Sequence, residues 1–181
     1  MMTSEEEYHG QHKREAYQLA IGKIIWAWTE YHEMLAELYA HLHEKEKWSE
    51  SLADWHSEKD DHRARAKLLR VAKEKLAVGS RGLDAITWIV KATDQVLRDN
   101  RNIAAHMPLM SYTDEHGKHE ILPMTLLGNP RAIQMARRDV LTNYQLLELR
   151  INLIKNYAIM IDLKLRERPD HPQEWPERPR L

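Results

Sequence analysis

Apolar residues recur along most of this chain at intervals of three and four, the spacing of one face of an α-helix. Ile21, Ile24, Ile25, Trp28, Tyr31, Leu35, Leu38 and Leu42 mark a first helix that follows a Ser4/Glu7 capping box and runs to about Lys45. A second pattern, with Leu52, Trp55, His62, Ala66, Leu69 and Leu76 inward, predicts a helix from about Ser49 to Ala77, stopped by Gly79. A third helix starts near Leu83 or Asp84. Pro108 removes a backbone donor and disfavours helical geometry at Met107, so this helix should end close to His106. Residues 109–124 change period, and runs on either side of the turn Asp114-Glu115-His116-Gly117 predict a short β-hairpin. Asn129-Pro130 then opens one long helix, with a kink expected near Arg138, that continues to about Arg166. Along it Val140, Tyr144, Leu147, Ile151, Ile154, Ala158, Ile161 and Leu165 form a near-heptad seam. Leu149, Leu153, Tyr157 and Leu163 add a second strip, which fits either a central core helix or a share in a dimer interface.

The expected fold is all-α, an up-down bundle of four main helices with a small β-hairpin inserted before the last long helix. Residues 1–166 would form a single helical domain. Residues 167–181 carry Pro169, Pro172, Pro176 and Pro179 and should be an extended or disordered tail, from which Trp175 is free to dock on a partner.

Composition narrows the function. Lys plus Arg (27) and Asp plus Glu (28) nearly cancel, so any polyanion site must be a local patch rather than a global field. The absence of Cys removes disulfides, thiolate catalysis and Cys-ligated zinc, and agrees with a reducing compartment. No apolar run long enough to span a membrane and no secretory leader are evident, so a cytoplasmic protein without a membrane partner is expected. Gly-rich phosphate loops, catalytic Ser arrangements and nucleotide-binding fingerprints are absent from the sequence.

One stretch carries candidate chemistry: Arg101-Asn102-Ile103-Ala104-Ala105-His106. It joins a permanent cation, an amide and an imidazole that titrates near neutral pH, groups able to grip a phosphodiester and move its protons. A second Arg-x4-His, Arg166 to His171, falls in the Pro-rich tail. On a helical wheel, Ile89, Val90, Thr93, Val96, Leu97, Ile103, Ala104 and Met107 share one half. Arg101, Asn102 and His106 fall in a separate arc of about 140°, beside Asp94, Gln95 and Arg98. The motif therefore belongs to the polar face of the third helix, at its C-terminal end. A plainer reading also holds: the macrodipole favours cations there by about 0.3–1 kcal/mol each.

In motif and order of elements, the chain resembles HEPN-domain proteins over roughly residues 15–166. The run RNIAAH matches the Arg-(Asn/Asp/His)-x3-His form of their motif at Arg101, Asn102 and His106. The resemblance implies a metal-independent endoribonuclease, without cofactor, whose motif helices pair across a homodimer to share one cleft. His106 would act as general base on the ribose 2′-OH or as acid at the leaving oxygen. Arg101 would bind the scissile phosphate, and Asn102 would orient the others. Arg98, doubled by dimerisation, would add to an RNA-binding patch. RNA is required because DNA lacks the 2′-OH, and the product would carry a 2′,3′-cyclic phosphate. The family also implies a toxin–antitoxin or anti-phage setting, with an antitoxin protein as a candidate partner. Its non-catalytic members give the alternative, a dimeric binding module for a nucleotide, RNA or partner protein. Pro108 stands two residues after the histidine, where some toxin members carry a modifiable Tyr.

Other histidines invite a metal reading. His41 and His43 are two apart and face different sides of a helix. His32 stands with Glu33 or Glu37, and His56, Asp60 and Asp61 are better placed, with His56 and Asp60 one turn apart. The absence of a paired Glu-x-x-His motif argues against a di-metal bundle, and no metal is expected. Trp26, Trp28 and Trp55 are expected in core or interface.

Overall fold

The computed structural model describes residues 4–43, 47–97, 104, 109–113, 115–117, 119–123, 133, 139–166 and 174–181. The fold is all-α. Its helices are α1 (Ser4–His43), α2 (Trp48–His56), α3 (Asp61–Lys75), α4 (Arg81–Ala92) and α5 (Val140–Arg166), and α4 runs on into a π turn, Thr93–Leu97. Strands β1 (Leu109–Thr113) and β2 (His119–Pro123) pair antiparallel, with Leu109 opposite Pro123 and Thr113 opposite His119. Gly117, at φ +79, supplies the left-handed turn residue, as the pattern around Asp114–Gly117 predicts.

The chain divides into two compact units, Met1–Ala27 with Asp99–Leu149, and Trp28–Arg98 with Arg150–Leu181. In the first, Ala20, Ile24, Ala27, Val140, Tyr144 and Leu147 are buried, and Tyr17 meets the Tyr144 ring edge-on. In the second, α1 is enclosed on several sides: Leu35, Ala36, Leu38, Tyr39 and Ala40 are all fully buried. This helix, and not α5 alone, occupies the centre of that core. Trp55 of α2 packs on Tyr39 of α1, and Leu68 and Val71 of α3, Ile86 and Ile89 of α4, and Ile154 and Ile161 of α5 are buried in the same unit. The second strip of α5 is mixed. Tyr157 is buried, whereas Leu149 and Leu163 are about half exposed. Trp28 and Trp55 are core, but Trp26 is 68% exposed.

The expected second helix is two helices. After α2 the backbone closes with Ser57 N–H to Ala53 O and Glu58 N–H to Trp55 O, then turns extended at Asp60. The Asp60 carboxylate accepts from Arg63 N–H at 2.8 Å and so caps α3. This restart shifts the phase. His62 and Ala66 face solvent, while Ala64, Arg65, Leu68, Val71 and Ala72 face the core. Upstream of the last helix Ile133 is helical, and the rest of residues 124–138 lies outside the described residues. Asp139 accepts from the backbone and hydroxyl of Thr142, a cap that begins α5 at Val140 where a kink near Arg138 was expected.

The segment 174–181 has no regular structure but lies against its own unit. A Cβ at Gly82 would stand 2.8 Å from Leu165 Cδ2 and 3.5 Å from Trp175 Cη2, so glycine lets both side chains close on α4. Arg178 pairs with Asp84 and stacks over Trp88 at 6.0 Å. Trp175 thus docks within the chain itself. Among the described residues, no helix is long and apolar enough to cross a membrane.

Candidate functional site

Arg98, Arg101, Asn102 and His106 lie outside the described residues. Ala104, inside the motif, is helical and 3% exposed, in line with its place on the core half of the wheel. Ile89, Val90 and Thr93 are buried and Gln95 is exposed, so the wheel holds at these positions upstream of the motif. The π turn interrupts it. A turn widened by one residue rotates whatever follows by about 100°.

Three side chains hold the π turn. The Thr93 hydroxyl donates to Ile89 O at 2.8 Å, which commits its single proton. Tyr31 of α1 must then donate to Thr93 Oγ1, and burial pushes the Tyr31 phenol far above its ordinary range. Asp94 accepts from Arg65 Nη2 at 2.7 Å, with His62 Nδ1 at 3.6 Å. Arg65 is 1% exposed, and its Nε has no hydrogen-bond partner. An irregular turn held by a buried cation is a common setting for function, because π turns concentrate at functional sites. Asp94 is thus engaged by α3.

A second constellation forms where α1 meets α2 and α3. His32, Glu33 and His56 place one ligand-type atom each within 4.8 Å of one another. His56 Nε2 stands 3.3 Å from Glu33 Oε2, and His32 Nε2 stands 3.5 Å from Asp61 Oδ1. The other Asp61 oxygen accepts from Trp28 Nε1 at 3.0 Å. Trp55 packs behind His32, with ring centroids 5.2 Å apart and its indole N–H 3.5 Å from Nδ1. Burial holds the His32 imidazole below its usual range, in the neutral form.

The pairing expected between His56 and Asp60 assumed one continuous helix. The break gives Asp60 to the α3 cap and leaves His56, the last residue of α2, facing Glu33 on α1. His32 and Glu33 lie about three turns before the end of α1, and His56 about two turns after the start of α2. Antiparallel docking of these helices was the one signal able to bring them together. His41 and His43 diverge as helix geometry requires. His41 Nδ1 meets the buried Asp162 at 2.7 Å, and His43 meets Ser51 at 3.2 Å. At the hairpin tip His116 is exposed.

Comparison with family models, curated proteins and solved structures finds no match.

Proposed function

We propose that the chain is a HEPN-like, metal-independent endoribonuclease that works as a homodimer in the cytoplasm. Arg101 and Arg98 grip the RNA backbone, His106 moves the proton at the 2′-OH or the leaving oxygen, and Asn102 orients them. The observation that carries the reading is the Arg101-Asn102-x3-His106 run, which follows closely on a π turn anchored by buried Arg65. A fixed guanidinium suits the charge that spreads over a transferring phosphoryl group, and a neutral imidazole is a competent base at cellular pH. An antitoxin partner and a toxin–antitoxin or anti-phage role belong to the same reading.

The test is RNA cleavage by purified protein in EDTA. A positioned acid or base contributes about 10²–10⁴-fold. His106→Ala should therefore lower cleavage by at least about 100-fold and leave RNA binding intact, while Arg101→Ala should weaken both. Equal product from wild type and His106→Ala rejects the catalytic role. RNA bound without cleavage, and released by Arg101→Ala, would instead assign the chain as a non-catalytic binding module.

A further inference from the structure

The geometry points to a divalent transition-metal site, zinc by preference, formed by His32, Glu33 and His56. Two imidazoles and one carboxylate make a borderline N2O donor set, which suits Zn²⁺ and discriminates against Mg²⁺ and Ca²⁺ with their all-oxygen shells. The distances agree. With metal–ligand bonds near 2.0–2.1 Å, a tetrahedral ion separates its ligand atoms by about 3.3 Å. His56 Nε2 and Glu33 Oε2 are already 3.3 Å apart. The third donor lies within 4.8 Å of the other two. Glu33 and His56 are both about half exposed, so they are free to rotate and leave a route for the ion.

The surroundings complete the pattern. Three protein ligands leave a fourth position for water or a further donor, and Asp61 Oδ1 stands next to His32 Nε2 at 3.5 Å. The Trp55 contact to His32 Nδ1, at 3.5 Å, is at the limit of a hydrogen bond. Coordination through Nε2 would place the ring proton on Nδ1 and forfeit that contact. Little is lost, and the indole becomes a reporter of occupancy. The bond lengths and donor types fix the class of ion. They do not require any chemistry of it, and a structural clip between α1 and α2 is the role assigned.

This site is independent of the ribonuclease reading, which is tested in EDTA. The experiment is calorimetric titration of the metal-stripped full chain with ZnCl₂, repeated for Glu33→Gln, His56→Gln and the exposed control His116→Gln. Tryptophan emission is followed in parallel under Ni²⁺. Both substituted positions are exposed, and circular dichroism checks that each variant keeps its helices. The expected result is one Zn²⁺ per chain, weakened at least about tenfold by Glu33→Gln and by His56→Gln and unchanged by His116→Gln. Ni²⁺ should quench emission in wild type and not in His56→Gln. No saturable binding, or equal weakening by the His116 control, overturns the site. So does binding that survives both Glu33→Gln and His56→Gln.

Discussion

Replacing Asp94 by Asn tests the claim that a buried cation anchors the π turn. Arg65 is 1% exposed and its Nε is already unpaired, so most of what offsets its burial comes from the 2.7 Å contact with Asp94. Breaking a buried pair from one side costs about 3–5 kcal/mol, because the remaining charge stays desolvated. Asp94 keeps 28% of its side-chain exposure, and the asparagine oxygen can still accept, which sets the expectation at the lower end, about 3 kcal/mol. For a chain of this length that corresponds to a fall in Tm of about 6–12 °C. Arg65→Met removes the buried charge itself and leaves Asp94 partly hydrated beside His62, so it should cost about 1 kcal/mol. Combined, the two changes should be milder than Asp94→Asn alone. Urea unfolding, followed by tryptophan emission and by circular dichroism with coincident transitions, gives all four corners of the cycle. If Asp94→Asn stays within about 0.5 kcal/mol of wild type, Arg65 does not depend on that carboxylate and the anchoring argument fails.

Two other outcomes follow from the Tyr144 hydroxyl and the Asp54 carboxylate. The Tyr144 hydroxyl is buried without a partner, and its pKa is pushed up to about 12 by burial. Tyr144→Phe should therefore raise the urea midpoint, by about 1 kcal/mol at constant m, and a comparable loss would mean that the hydroxyl is bonded after all. Hydrogen bonds from Lys67 and then Tyr39 hold the Asp54 carboxyl below its ordinary 3.8. In acid the folded state thus binds fewer protons than the unfolded chain. The stability this supplies is complete above pH 4 or so and disappears as pH falls through the lower folded value. Asp54→Asn should flatten the midpoint-versus-pH curve on the acid side of its ordinary 3.8, and an unchanged slope would exclude Asp54 as its source.

The helices were legible because their apolar spacing is dense. The phase of the second helix was not. Ser57-Glu58-Lys59-Asp60 contains neither Gly nor Pro, and its polar residues suit a helix surface as well as a break. The deciding bond, donated by Arg63 N–H to the Asp60 carboxylate, is local but silent in composition. For the π turn the cause is tertiary: it depends on Tyr31 and Arg65, far away in sequence. An arginine in the middle of an amphipathic pattern reads as surface, yet Arg65 lies in the core because Asp94 is there to meet it. His32 and Glu33 were visible as a pair, but their partner His56 belongs to another helix, and its approach depends on how the two dock.

The short link at Ser57–Asp60 has a mechanical meaning. A single stiff rod from Trp48 to Lys75 would act as a lever, tilting Arg65 whenever its far end moved. With the rod broken in between, the His56 corner can adjust to converging donors on its own. The grip of Arg65 on Asp94 need not slacken when it does. Adaptation at one polar cluster is thereby insulated from the other.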